Sequence, residues 1–241
     1  MSQLQQYEEF ILSLPAGKLS KDQLLVPELL INQSGNMSVY YIPYDYVNTD
    51  ARIMIIGITP GFTQMQLAFL QAREGLLNKI PYPEIDKQAK FVASFAGSMR
   101  SNLNEMLNEI GLPEALGIDR SESLFAENRD LLHTTSVIRY PVYHNGTNYT
   151  GHQPEIIKSD FLLAYARSIL LEEVISVKDA LILPLGKSVS DVLHMFVKEG
   201  LLNEERCLFD LPHPSGANGH RKKHFENSKS KLTEQINHWF K

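Results

Sequence analysis

The sequence predicts an α/β fold, a three-layer sandwich with a central, mostly parallel sheet flanked by helices. Two observations carry that prediction. Residues 53–56, 131–138 and 180–185 form short, largely apolar runs between turn signals, as strands buried on both faces do. Stretches with helical spacing separate or follow them, and strand alternating with helix argues for parallel pairing through crossovers. In such sheets ligands bind at the carboxyl ends of the strands.

The elements follow in order along one domain, 1–241, with residues 1–48 as an N-terminal extension packed on it. Residues 1–34 read as a helix plus a surface segment, and 38–47 as a short edge strand interrupted by Pro43. The run 53–56 stops at Gly57 and turns through Thr59-Pro60-Gly61. From 93 to 110, Phe95, Met99, Leu103, Met106, Leu107 and Ile110 recur at helical spacing, closed by Gly111 and Pro113. The second strand, 131–138, runs into a loop at 140–154 rich in Pro, Gly, Asn and His. Pro154 opens a predicted helix over 155–176. The third strand ends at Gly186, and a helix at 188–199 is closed by Gly200. A short strand at 208–211 and a final helix from about 222 to 239 complete the chain.

At 241 residues, 43% hydrophobic and 21% charged, the composition is that of a soluble globular chain. One cysteine, Cys207, leaves no disulfide framework and no four-cysteine cluster or zinc site, as expected in a reducing cytoplasm. The first residues lack the basic start and apolar stretch of a signal peptide, and no apolar run approaches a membrane span. His133, His144, His152, His220 and His224 lack metal-ligand spacing and read as surface or loop histidines. Leu185-Gly186-Lys187-Ser188 lacks the spaced first glycine of a phosphate-binding loop. Expected partners therefore exclude membrane and metal.

Two strings carry chemistry. Gly57-Ile58-Thr59-Pro60-Gly61-Phe62 follows a strand, and glycines let a ligand approach the backbone closely. In Leu211-Pro212-His213-Pro214-Ser215-Gly216 the histidine stands between two prolines, so its backbone is stiff and its ring has a set direction. Together, in this order, they resemble the G-x-x-P-G and H-P-S-x signatures of the uracil-DNA glycosylase superfamily. Phe95-Ala96-Gly97 with Leu103-Asn104-Glu105-Met106-Leu107 and Ile110-Gly111-Leu112 resembles a segment of its family-4-like members. Thr134-Thr135-Ser136-Val137-Ile138 stands where members carry a strand ending in T-N-V. The resemblance covers roughly residues 50–225, without the iron–sulfur cysteines.

The resemblance implies a metal-free, cofactor-free monofunctional DNA glycosylase that flips a pyrimidine from DNA and hydrolyses its N-glycosidic bond. Thr59 and His213 fall at the catalytic positions, His213 as a donor to the base oxygen that gains charge. Gly57, Ile58, Pro60, Gly61, Phe62, Phe95 and either Thr135 or Ser136 fall at the base pocket, Phe95 by stacking. Ser215, Gly216, Ala217 and Asn218 fall in the loop entering the minor groove, with Arg221, Lys222 and Lys187 on the DNA. The implied protein is a cytoplasmic monomer with DNA as partner. Its net charge of −5 opposes phosphate binding, but Arg221-Lys222-Lys223-His224, Lys229 and Lys231 make the tail locally basic, either as a solvated helix face or as a DNA contact.

Both signatures depart from the usual pattern. No carboxylate or amide stands at Ile58-Thr59, and no Asn at Thr135-Ser136. Three explanations follow. Another residue, such as Asp86, Glu74 or Gln64, activates water; or the pocket is widened for a modified base, as in defence against phage DNA; or the fold binds without cutting.

Overall fold

The computed structural model describes residues 3–216 and 218–241. Short helices α1 (Gln3–Gln6), α2 (Glu8–Ser13) and α3 (Lys21–Leu24) lead to strands β1 (Leu30–Ser34), β2 (Met37–Tyr40) and β3 (Ile53–Gly57). Helices α4 (Phe62–Leu77), α5 (Tyr82–Ala93), α6 (Ser98–Glu109) and α7 (Leu112–Leu116) come next, then strands β4 (Leu132–Ser136), β5 (Val142–His144) and β6 (Thr147–Asn148). Helices α8 (Asp160–Tyr165) and α9 (Leu171–Ser176) are joined through a π-helical turn. Strand β7 (Leu181–Pro184), α10 (Lys187–Lys198) and α11 (Arg221–Trp239) complete the chain.

The central sheet is parallel, in the order β4-β3-β7. Side chains alternate across it. Ile53, Ile55, Leu181 and Leu183 face Leu103, Leu107, Leu112, Leu232 and Ile236 of α6, α7 and α11. Met54, Ile56 and Ile182 face Met65, Phe69, Ile85, Leu162, Val189 and Val192 of α4, α5, α8 and α10. Apolar cores on both faces make the predicted three layers. The predicted strands at 53–56 and 180–185, and the helices at 188–199 and 222–239, stand within a few residues of the observed elements.

Other elements differ from their predictions. Residues 30–34 form β1, and β2 is an inner strand of a separate antiparallel sheet, β1-β2-β5-β6, because β5 covers the side left open by β1. The 140–154 loop contains the β5–β6 hairpin, turning at Asn145 (φ 50°) and Gly146 (φ 71°). The helix read over 93–110 starts only at Ser98, as α6, because Phe95 (φ 51°) and Gly97 (φ 83°) break the chain after α5. Pro154 does not open the next helix; α8 starts after Ser159, whose hydroxyl accepts the Leu162 N–H. Residues 208–211 hold a turn at Phe209 and Asp210 (φ 75°) rather than a strand. Leu208 N–H donates to Ile182 O (2.8 Å) and Gly186 N–H donates to Leu211 O (2.9 Å), so this segment runs beside β7 and delivers His213 to the carboxyl edge.

Candidate active site

Strand β3 delivers its terminal Gly57 to the carboxyl edge of the sheet. The following turn stays bound to the chain after β4: Gly57 O accepts from Val137 N–H (2.8 Å) and Ile58 O from Ile138 N–H (3.1 Å). Thr59 Oγ1 donates to Tyr140 O (2.7 Å) and accepts from Val142 N–H (3.1 Å). Its one proton is thus committed to the backbone. This places Thr59 as a tie between the turn and the start of β5, where the resemblance implied a catalytic group. Pro60 is buried, Phe62 half-buried, and Gly61 starts α4 with its N–H donating to Gln64 Oε1 (2.9 Å).

Three residues converge above the sheet edge. A β-carbon on Gly57 would lie 3.2 Å from Phe95 Cε1 and 3.5 Å from Ser136 Oγ. Phe95, 5% exposed, holds a left-handed backbone that a bulky residue rarely adopts. Arg100 fixes that turn by donating from Nε (3.2 Å) and from a terminal nitrogen (2.6 Å) to Ser94 O. Ser94 Oγ in turn pairs with Thr134 Oγ1 at 2.7 Å.

Strand alternation decides between Thr135 and Ser136. Ser136 shares its face with Thr134, against Ser94 and Phe95. Thr135 projects to the opposite face, where its buried Oγ1 has no hydrogen-bond partner. Ser136 therefore stands with Gly57 and Phe95, and Thr135 on the other face of the strand.

His213 is pressed against Gly186, whose φ of 86° and missing side chain admit it: an added β-carbon would lie 3.0 Å from His213 Cβ. Nδ1 accepts the Ser215 N–H (3.2 Å), so the proton of the neutral ring sits on Nε2. Burial first, and the charge of His152 second, hold its pKa below the ordinary value. The ring is a neutral donor. Its loop is clamped from within: Asn218 Nδ2 donates to His213 O (3.2 Å), Asn102 Nδ2 to Pro214 O (2.8 Å), and Arg221 to Pro214 O (3.1 Å) and Asn102 Oδ1 (3.0 Å). Asn218 and Arg221, which the resemblance places on the DNA, thus also hold the loop through their amide and guanidinium donors.

Gly216 and Lys222 are exposed, as is Lys187, which pairs with Asp191 at 2.7 Å. Ser215 is half-buried, and Ala217 lies outside the described residues. Lys229 and Lys231 pair with Glu109 (2.5 Å) and Asp210 (2.7 Å), which favours the solvated-face reading for that part of the tail.

Of the three residues considered for water activation, Gln64 alone stands at the first signature. Glu74 is exposed on α4, 13 residues beyond Gly61 and so roughly 20 Å along the helix. Gln64 is engaged with Gly61, and Asp86 is buried on α5 near Tyr41 on the other face of the sheet.

Two residues that the sequence reading left aside stand nearby. Asn148 Nδ2 lies 3.4 Å from where a Gly61 β-carbon would be. His152 lines a cleft of about 210 Å³ with Glu155, Lys187, Ser188 and Asp191. The only signal for either was a loop dense in Gly, Asn, Pro and His.

His133 is not a surface histidine. It is 1% exposed, accepts from Asn48 N–H at Nδ1 (3.3 Å) and bonds Glu173 Oε2 through Nε2 (2.7 Å). Burial, then Lys90, lowers its pKa to about 4. Burial lowers Lys90 to about 8. Burial alone would raise Glu173, but Lys90, the His133 hydrogen bond and Arg139 outweigh it and hold the carboxyl well below the usual range. This network anchors β4 from behind. Among the described residues no cluster of His, Cys, Asp or Glu could hold a metal, and no helix is long and apolar enough to cross a membrane.

Comparison with known proteins agrees with this layout. The family model described as the uracil DNA glycosylase superfamily matches residues 44–241. The uncharacterized protein YoxB of Bacillus subtilis (strain 168) is 42% identical over 235 residues, 97% of this chain and 91% of that protein.

Proposed function

The chain belongs to the uracil DNA glycosylase superfamily, and from that premise we propose that it is a monofunctional glycosylase releasing uracil or a modified pyrimidine from DNA. The observation that carries this reading is the convergence of Gly57, Phe95 and Ser136 at the sheet edge, beside a neutral, directed His213. Family membership supports glycosylase-type chemistry on DNA; the substrate and the residue roles are our inference.

A flipped pyrimidine lies against Phe95 with the rings stacked, worth about 1–3 kcal/mol per base. Gly57 lets the Phe95 ring close on the strand end, since a β-carbon there would lie 3.2 Å from it. His213 Nε2–H donates to the base oxygen on which charge grows as the C1′–N bond breaks, a stabilisation that increases toward the transition state. No lysine occupies either signature, so water rather than an amine attacks C1′. Ser136 offers a short hydroxyl where an amide would fill more space, which favours a substituted ring such as hydroxymethyl- or glucosylcytosine and fits action against phage DNA. The commitment of Thr59 to the backbone favours a second reading, a module on this fold that binds without cutting.

The test is excision from labelled single- and double-stranded DNA carrying uracil, mismatched thymine, hypoxanthine, or hydroxymethyl- or glucosylcytosine, with abasic sites revealed by alkali. Abasic sites at uracil or a modified pyrimidine support the glycosylase. DNA binding with no abasic product from any substrate supports the module and sinks the enzyme.

A further inference from the structure

We propose that His152 is the general base of this site, taking the proton of the water that attacks C1′. The inference rests on the glycosylase reading and supplies the group that the first signature lacks.

The first turn of α10 brings His152 to the chemistry. Gly186 seats His213 at its start. Ser188, two residues on, seats Gly151: a β-carbon there would lie 2.8 Å from Ser188 Oγ and 3.2 Å from Ile58 Cδ1. The Ser188 hydroxyl donates to Gly151 O at 3.1 Å, so the backbone entering His152 is fixed to the signature turn and to α10 together. The two imidazoles are near enough that the charge of His152 acts on His213.

The imidazole of His152 is exposed and carries no hydrogen bond among the described residues. It faces the cleft between its own loop and α10. The charged groups around that cleft are Glu155, Lys187 and Asp191, with His213 beyond. Lys187 is paired with Asp191 at 2.7 Å, and Glu155 with Lys158 at 3.0 Å. No unmatched cation waits there for a phosphate. His152 is the group left open to exchange a proton, and imidazole is the side chain best suited to do so near neutral pH. Two other polar residues at the motif are committed: Thr59 to Tyr140 O and Gln64 to Gly61 N–H.

The step balances. Water oxygen bonds to C1′ while its proton passes to the free ring nitrogen of His152. The C1′–N bond breaks with its electron pair going to the base, whose oxygen is held by His213 Nε2–H. His152 returns its proton to solvent, and the released base takes one up.

Single-turnover excision between pH 5 and 9 tests this with the parent, His152→Gln and His152→Glu, on the uracil and hydroxymethylcytosine oligonucleotides. The residue is exposed, so the variants keep the parent melting temperature. His152→Gln is expected to slow cleavage about 10²–10³-fold and to remove the fall in rate below neutrality, with unchanged affinity for DNA holding an abasic site. His152→Glu recovers part of the rate, with the fall displaced to lower pH.

A His152→Gln rate within threefold of the parent, with the same pH profile, overturns the inference and leaves the glycosylase standing. Weaker abasic-DNA binding with an unchanged saturating rate makes His152 a phosphate contact, and also overturns it. A parent that cleaves none of the substrates removes both readings at once.

Discussion

Phe95 carries two tasks that a substitution can separate. Its ring packs with Leu103 and Leu107 and also lies close over Gly57 at the sheet edge. Leucine at 95 keeps apolar volume but has no flat face to stack on a base. Phe95→Leu should therefore lower excision about tenfold, as the loss of one stacking contact predicts, with a melting temperature within a few degrees of the parent. Equal activity would make Phe95 core alone. His133 answers a different question, acid stability. Its folded pKa of about 4 lies below the unfolded value of 6.5. The unfolded chain therefore takes up the proton first as pH falls, and stability drops between those limits. Glu173, also held low, extends the loss further into acid. Melting scans from pH 7.5 to 4 should show this decline, and His133→Gln should start lower and fall less. Parallel curves would remove His133 as the cause.

At the scale of elements, α4 and α5 pack at the limit of contact. A β-carbon on Gly75 would lie 2.7 Å from Ile85 Cγ1. Alanine would favour the helix by up to about 1 kcal/mol, but overpacking costs about 1–3 kcal/mol. Gly75→Ala should thus lower the melting temperature by a few degrees, and a rise would show that Ile85 can yield. This helix pair is also where the sequence was least readable. Helix α4 has apolar side chains on every face, and α5 buries Asp86 and Lys90 where a pattern reading expects solvent. The break at Phe95 was hidden because a phenylalanine at positive φ breaks the local rule, and only Gly97 hinted at it. Strands β3 and β7 were legible because both their faces are apolar, and β4, largely polar itself, from the apolar Leu131, Leu132, Val137 and Ile138 at its two ends. The His213 loop was legible from its prolines. Ser136 could be separated from Thr135 only once the strand register was known, and His152 only once α10 had folded beside it.

The whole molecule places few free cations near its site. Lys222 and Lys223 are exposed there and Lys187 is exposed but paired with Asp191, while Arg221, Lys229 and Lys231 are engaged within the chain. With a net charge of −5, long-range attraction to DNA is weak. The slope of log affinity against log salt should be no steeper than about −3, one unit per neutralised phosphate at most. A slope near −6 would reveal a second basic surface.

The tie at Thr59 reaches further than the turn it holds. Tyr140, whose carbonyl receives that hydroxyl, also donates its phenolic proton to Gln3 Oε1 at 3.0 Å. The third residue of the chain is thus two bonded contacts from the first signature. Gln3→Ala would release the Tyr140 hydroxyl and so loosen the turn at Thr59 from outside the sheet.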